Sequence, residues 1–209
     1  MIHQTSTSIL LAIPLLIIVI ISGRYWIDYK DISNGRKVKQ NILYNKFFLY
    51  LIGLGYFCIW PFWIIGLLFL FLNEYCTVFD FMFFSTSYGL VIQVIGFLVF
   101  YIGTMTLSWA INVAGKYLRP SIAGVYKEHK LIQKGPLSIV RHPYYVSYIF
   151  ILVGLSLVLL TYWPLIPALC VLIGIYPTAR TEEGMLIERF GDEYIKYKNK
   201  VGMFFPKLF

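Results

Sequence analysis

Arg141-His142-Pro143-Tyr144-Tyr145 joins a basic, water-facing segment directly to the apolar run Tyr144 to Leu160. A cation, an imidazole and two phenols are thereby set at the point where the chain enters a membrane. The proline suits the first turn of a helix and holds its predecessor extended. Polar groups fixed at such a boundary can hold a polar ligand beside a lipid-borne one.

Composition supports the membrane reading. Of 209 residues, 59% are hydrophobic and only 13% charged, against roughly one-quarter charged in a soluble domain. Net charge +8 does not point to nucleic acid, because the cations are interleaved with bilayer-length apolar runs instead of gathered on a soluble face.

A hydrocarbon core of about 30 Å takes roughly 20 helical residues. Runs of that kind extend from about Ser8 to Ile21, Phe47 to Leu72 and Phe81 to Leu107. Two shorter ones, Tyr144 to Leu160 and Tyr162 to about Thr178, are joined too tightly at Thr161-Tyr162-Trp163-Pro164 for anything but a helical hairpin. The first run has no cation before it and no small-residue cleavage site after it, so it reads as a retained helix and not a signal peptide. The expected fold is all-α and polytopic with five transmembrane helices. A scaffold occupies 1–107 and a functional core 108–209, the latter divided into a loop (108–143), a hairpin (144–179) and a C-terminal helix (180–209).

All 18 Lys and Arg fall in three segments, 24–46, 116–141 and 180–207, on one side of that arrangement. The opposite side's second loop carries only Glu74 and Asp80. The positive-inside rule therefore puts the N-terminus outside and the loop and tail in the cytoplasm.

Cys58, Cys76 and Cys170 show no metal or redox spacing, and no metal is expected. No G-x-G-x-x-G or P-loop pattern is present for a nucleotide. In the tail, Leu186, Phe190, Tyr194, Tyr197 and Val201 recur every three or four residues, an amphipathic helix with a break expected at Gly191. Taken singly, Glu182-Glu183 reads as first-turn carboxylates complementing a helix dipole. Lys196, Lys198 and Lys200 read as anchors to anionic lipid, at about 1 kcal/mol each.

Taken together, the elements carry more. His129-x-Leu131-Ile132-x-x-Gly135-Pro136, Arg141-His142-Pro143-x-Tyr145, an apolar hairpin, Glu182-Glu183-x-x-Leu186, Phe190-Gly191-Asp192-Glu193-Tyr194 and Tyr197 follow in an order and spacing that resembles the isoprenylcysteine carboxyl methyltransferase family. The resemblance spans about Gly115 to Pro206. It implies an S-adenosylmethionine-dependent methyltransferase acting on a lipid-borne or hydrophobic acceptor, with the C-terminal helix closing a cofactor pocket. His129, Lys130, Leu131, Ile132, Leu137, Arg141, His142, Pro143, Tyr144, Tyr145 and Glu182 would line that pocket. Glu183 or Tyr145 would serve as base for an amine or thiol acceptor, whereas a carboxylate acceptor needs none.

The chain departs from the family where prenylcysteine enzymes place an acceptor-contacting arginine, one turn before the paired glutamates; Thr178 stands there. Arg180 lies two residues on, roughly 200° around a helix, and substitutes only if Pro177 turns it inward. Leu137 replaces a usual tyrosine, and Ser147 a common glycine. A prenylcysteine-type carboxylate is the favoured acceptor. Alternatives are a phospholipid amine or small thiol, an NADPH-dependent enzyme like the sterol reductases, and a non-enzymatic membrane scaffold.

Overall fold

The computed structural model describes residues 86–114, 130–162 and 164–207. They form helices α1 (Gly89–Ala114), α2 (Pro143–Leu159), α3 (Leu165–Phe190) and α4 (Asp192–Lys200), with a 3₁₀ turn at Gly135–Ser138. Among the described residues there is no strand, only an isolated parallel bridge between Val140 and Gly202. The all-α class is as expected. The expected spans at 8–21 and 47–72 lie outside the described residues, as does His129.

Helix α1 carries no charged residue. Among the described helices it is the one long and apolar enough to cross a membrane, and α2 is shorter and equally apolar. Such helices expose apolar side chains as a lipid-facing surface requires, here Leu90, Val94, Leu98, Ile102 and Met105. The expected third span, Phe81 to Leu107, is displaced: α1 begins at Gly89 and continues to Ala114. The Thr86 hydroxyl accepts the Tyr88 N–H at 3.2 Å, a local bond that favours a helix start over a continuing one. Nothing charged or proline-like stops the chain between Leu107 and Ala114.

Helices α1 and α2 pack with their backbones close. Phe97, Phe100 and Leu107 interlock with Ile151, Leu155 and Val158. A Cβ added at Gly154 would lie 2.5 Å from the Phe100 backbone nitrogen, so any side chain there forces the helices apart. Small residues of this kind are what allow helices to associate in lipid, where no hydrophobic force drives them together. The buried Gln93 amide adds an interhelical bond to the Val158 carbonyl at 3.0 Å.

Pro143 starts α2 with His142 as its cap residue. Leu160 ends it in the left-handed region (φ 51°), and the Ser156 hydroxyl and Thr161 backbone bond each other across the turn. Helix α2 ends at Leu159 and α3 begins at Leu165, on either side of the turn expected at 161–164. Helix α3 does not stop where its apolar half ends. It runs through Pro177 and the expected hairpin-to-tail join at 179/180, ending where Gly191 takes φ 54°. Its first half is apolar and its second half carries Glu182 and Glu183. Continuity through Pro177 places both carboxylates rigidly relative to the hairpin.

Candidate active site

Three segments converge at one end of the hairpin. The residues before α2 run beside the tail after α4: the Arg141 N–H donates to the Gly202 carbonyl at 2.8 Å, and the His142 N–H to the Met203 carbonyl at 3.1 Å. The Arg141 guanidinium then donates to the carbonyls of Lys198 (3.1 Å) and Val201. Carbonyls at the end of α4 thereby accept from this cation, as helix C-termini favour.

Helix α3 supplies the counter-charges. Arg141 Nε lies 2.7 Å from Glu183 Oε1, with the two side chains 8% and 1% exposed, and Lys198 Nζ lies 2.7 Å from Glu183 Oε2. His142 is buried between the carboxylates, Nδ1 3.4 Å from Glu182 Oε2 and Nε2 3.4 Å from Glu183 Oε1. The Tyr145 hydroxyl donates to Glu182 Oε1 at 2.8 Å. The His142 ring stacks on Tyr145, with Phe204 tilted against it.

The electrostatics follow from that packing. Burial opposes a charged imidazole at His142, but its bonds to Glu182 and Glu183 outweigh it and raise its pKa above 6.5. Burial likewise opposes ionisation of Glu183, yet His142, Lys198 and Arg141 together pull its pKa down to about 2. Tyr194 and Tyr197 are pushed well up, chiefly by burial. They stay neutral, and the Tyr197 hydroxyl donates to the Leu137 carbonyl at 2.6 Å.

Of the residues singled out in the sequence, the structure brings together Arg141, His142, Tyr145, Glu182 and Glu183. Leu137 is buried against α4 through Tyr197, and Leu131 packs on Tyr194, Tyr197 and Val201. Pro143 is buried, and Ile132 is half-buried. Tyr144 turns to the α1–α2 core, whereas Tyr145 faces α3. Lys130 is exposed. Arg180 is exposed too, its guanidinium 5.9 Å over the Tyr176 ring. Pro177 leaves α3 continuous and does not turn Arg180 toward the carboxylates.

Thr178 is 2% exposed and its hydroxyl has no hydrogen-bond partner among the described residues. Ser147 and Thr181 donate back to the carbonyls of Pro143 and Pro177, at 2.7 and 2.9 Å, the usual outlet for a hydroxyl on a helix. Thr178 departs from that habit, one turn before Glu182 on the buried face of α3.

One expectation is corrected. Lys198 is not simply a lipid anchor, since it pairs with a buried carboxylate. The signal was its place directly beside Tyr197 and four residues after Tyr194, at the edge of the apolar stripe. Met203 and Phe204 were also missed; they pack on Tyr145, Val171, Ile175 and Ala179. Their mark in the sequence was an apolar cluster just beyond the end of an amphipathic helix.

Residues 94–188 match the model of the isoprenylcysteine carboxyl methyltransferase (ICMT) family. Over 116 residues, 54% of this chain, the sequence is 37% identical to the protein-S-isoprenylcysteine O-methyltransferase of Saccharomyces cerevisiae. The chain spans about half of that relative, 48% of its length. The family match covers most of α1, all of α2 and most of α3, including His142, Tyr145 and both glutamates. The stretch that supplies Arg141, His142, Tyr145, Glu182 and Glu183, within residues 94–188, is thus similar to the isoprenylcysteine carboxyl methyltransferase family.

Proposed function

We propose that this chain is an integral membrane methyltransferase that moves a methyl group from S-adenosylmethionine to a prenylcysteine-type carboxylate on a membrane-associated acceptor. The observation that carries the proposal is the buried cluster in which Glu182 and Glu183, adjacent on α3, both face His142 while Tyr145 holds Glu182.

The residues present suit the donor. Its ammonium calls for a carboxylate, its carboxylate for a cation or N–H, and its adenine for apolar or aromatic walls. Glu182 accepts from Tyr145 and faces His142, and a carboxylate has further lone pairs to offer. His142 supplies positive charge, and Tyr145 and Phe204 supply ring faces. The unpartnered Thr178 hydroxyl is a buried polar group of the kind a bound ligand satisfies. When bound, the donor supplies a methyl carbon already activated by its sulfonium, so the protein's work is positioning and desolvation.

The electrostatics also favour one acceptor class. A carboxyl held at about 2, as Glu183 is, is a poor base near neutral pH. An amine or thiol would have to lose a proton, whereas a carboxylate attacks as it stands. Thr178, where the family places an acceptor-contacting arginine, is the group we assign to that carboxylate, as a hydrogen-bond donor in place of an ion pair. The site and C-terminus face the cytoplasm in this reading, with the N-terminus outside, as the distribution of cations requires.

Purified protein heated with S-adenosylmethionine or with NADPH separates this function from hydride transfer. Ligand at a hundred times its Kd stabilises by about 2.7 kcal/mol. Stabilisation by S-adenosylmethionine and not by NADPH is expected; stabilisation by NADPH alone would reverse the assignment.

A further inference from the structure

Arg141, Glu183 and Lys198 close a ring between the two ends of the site. Arg141 bonds Glu183 Oε1 and the Lys198 carbonyl, while the Lys198 ammonium lies against Glu183 Oε2. A single residue of α4 is therefore held twice, by its backbone and by its side chain. Glu183 Oε2 is buried and has no hydrogen-bond partner from any other described residue. Without the ammonium it would be left uncompensated, and an uncompensated carboxylate oxygen turns toward the nearest remaining cation. Arg141 is already held at 2.7 Å through Oε1, so the cationic contact left to shorten is that of His142, whose Nε2 lies 3.4 Å from the same oxygen.

We propose that Lys198 is a positioning residue of the site: by holding Oε2 of Glu183 from the C-terminal helix, it keeps Oε1 turned to Arg141 and fixes the orientation and charge of His142. The proposal rests on the reading of His142 as a donor-pocket residue. The consequence is that docking of α4 and the electrostatics of the pocket are one event. While α4 is seated, two cations offset Glu183. Without α4 in that place, Glu183 would lack the ammonium, and Arg141 the carbonyl that steadies it.

The groups facing His142 are few. Its own segment contributes Arg141, α2 the Tyr145 hydroxyl, α3 Glu182 and Glu183, and α4 Lys198 through Glu183. Tyr194 stands near Glu183 and stays neutral, and the tail contributes the uncharged Phe204. Removing the Lys198 charge takes away a cation and leaves Glu183 less neutralised. Both effects favour the imidazolium.

The chain has only three histidines, His3, His129 and His142, so the His142 ring is assignable in histidine-labelled full-length protein in micelles by comparison with a His142→Ala sample. In Lys198→Met and in Lys198→Gln its titration midpoint is expected to rise by about half a unit or more, with S-adenosylmethionine affinity falling about tenfold. Lys198→Arg is expected to restore both. A lysine that merely glued the tail down would, on removal, let water in and bring the midpoint back toward 6.5. A midpoint that falls or stays put in both neutral variants overturns the proposal. If the midpoint rises but even the unaltered protein binds no S-adenosylmethionine, the methyltransferase assignment fails and the hold of Lys198 on His142 stands.

Discussion

Glu183→Ala is expected to destabilise the protein by about 3–5 kcal/mol, because it strips the counter-charge from a guanidinium that is itself buried. Arg141 is 8% exposed and Glu183 1%, so water cannot take the place of the lost carboxylate. The same change releases Lys198 and removes one of the two oxygens facing His142. Equilibrium unfolding in mixed micelles measures the loss; a change within about 0.5 kcal/mol, typical of an exposed pair, would show that the cluster is solvated. The pH dependence has two limbs of opposite sign. His142, Lys198 and Arg141 hold the Glu183 carboxyl down to about 2 in the folded chain, from an ordinary 4.5. Its contribution is complete above 4.5 and is lost as pH falls toward 2. His142 is raised above 6.5, so its contribution is complete below 6.5 and fades as pH climbs through the folded value. The cluster therefore stabilises most between these limits, and Glu183→Ala flattens the acid limb.

Glu182→Ala and His142→Ala are expected to abolish S-adenosylmethionine binding while costing less stability than Glu183→Ala. Glu182 has no cation other than His142 beside it in the described structure; its other partner is the Tyr145 hydroxyl. Glu183, by contrast, is saturated by Arg141, Lys198 and His142. In the proposed reading two adjacent carboxylates divide the work: the saturated one holds the tail, and the other keeps lone pairs for a ligand ammonium. Calorimetric titration of each variant with S-adenosylmethionine reads the difference. Unchanged affinity in both would remove Glu182 and His142 from the donor site.

The sequence carried the architecture well wherever a local signal existed. Pro143 after His142 marked the start of α2, Thr161 to Pro164 marked the turn between α2 and α3, and Gly191 marked the end of α3, each through backbone restrictions that act within a few residues. The cluster of Arg141, His142, Tyr145, Glu182 and Glu183 was legible only as a set, through resemblance, because its members meet across some 40 residues of chain. Lys198 carried only a faint mark, its place beside Tyr197 at the edge of the apolar stripe. A lysine on an amphipathic tail is indistinguishable in sequence from a lipid anchor until a buried carboxylate is found opposite it. The extent of α1 was misjudged for a related reason: apolar length tells how far a helix can run, while its start was set by a hydroxyl at Thr86 and its end by nothing apolarity records.

The most direct test incubates purified protein with methyl-labelled S-adenosylmethionine and, in parallel, a farnesyl-cysteine bearing a free carboxylate, a phosphatidylethanolamine and a short thiol. With Glu182 keeping lone pairs for the donor and Glu183 too weak a base for an amine or thiol, the proposed site predicts label on the farnesyl-cysteine carboxylate and none in the Glu182→Ala protein. Label on the amine or thiol, or label that persists without Glu182, would contradict it.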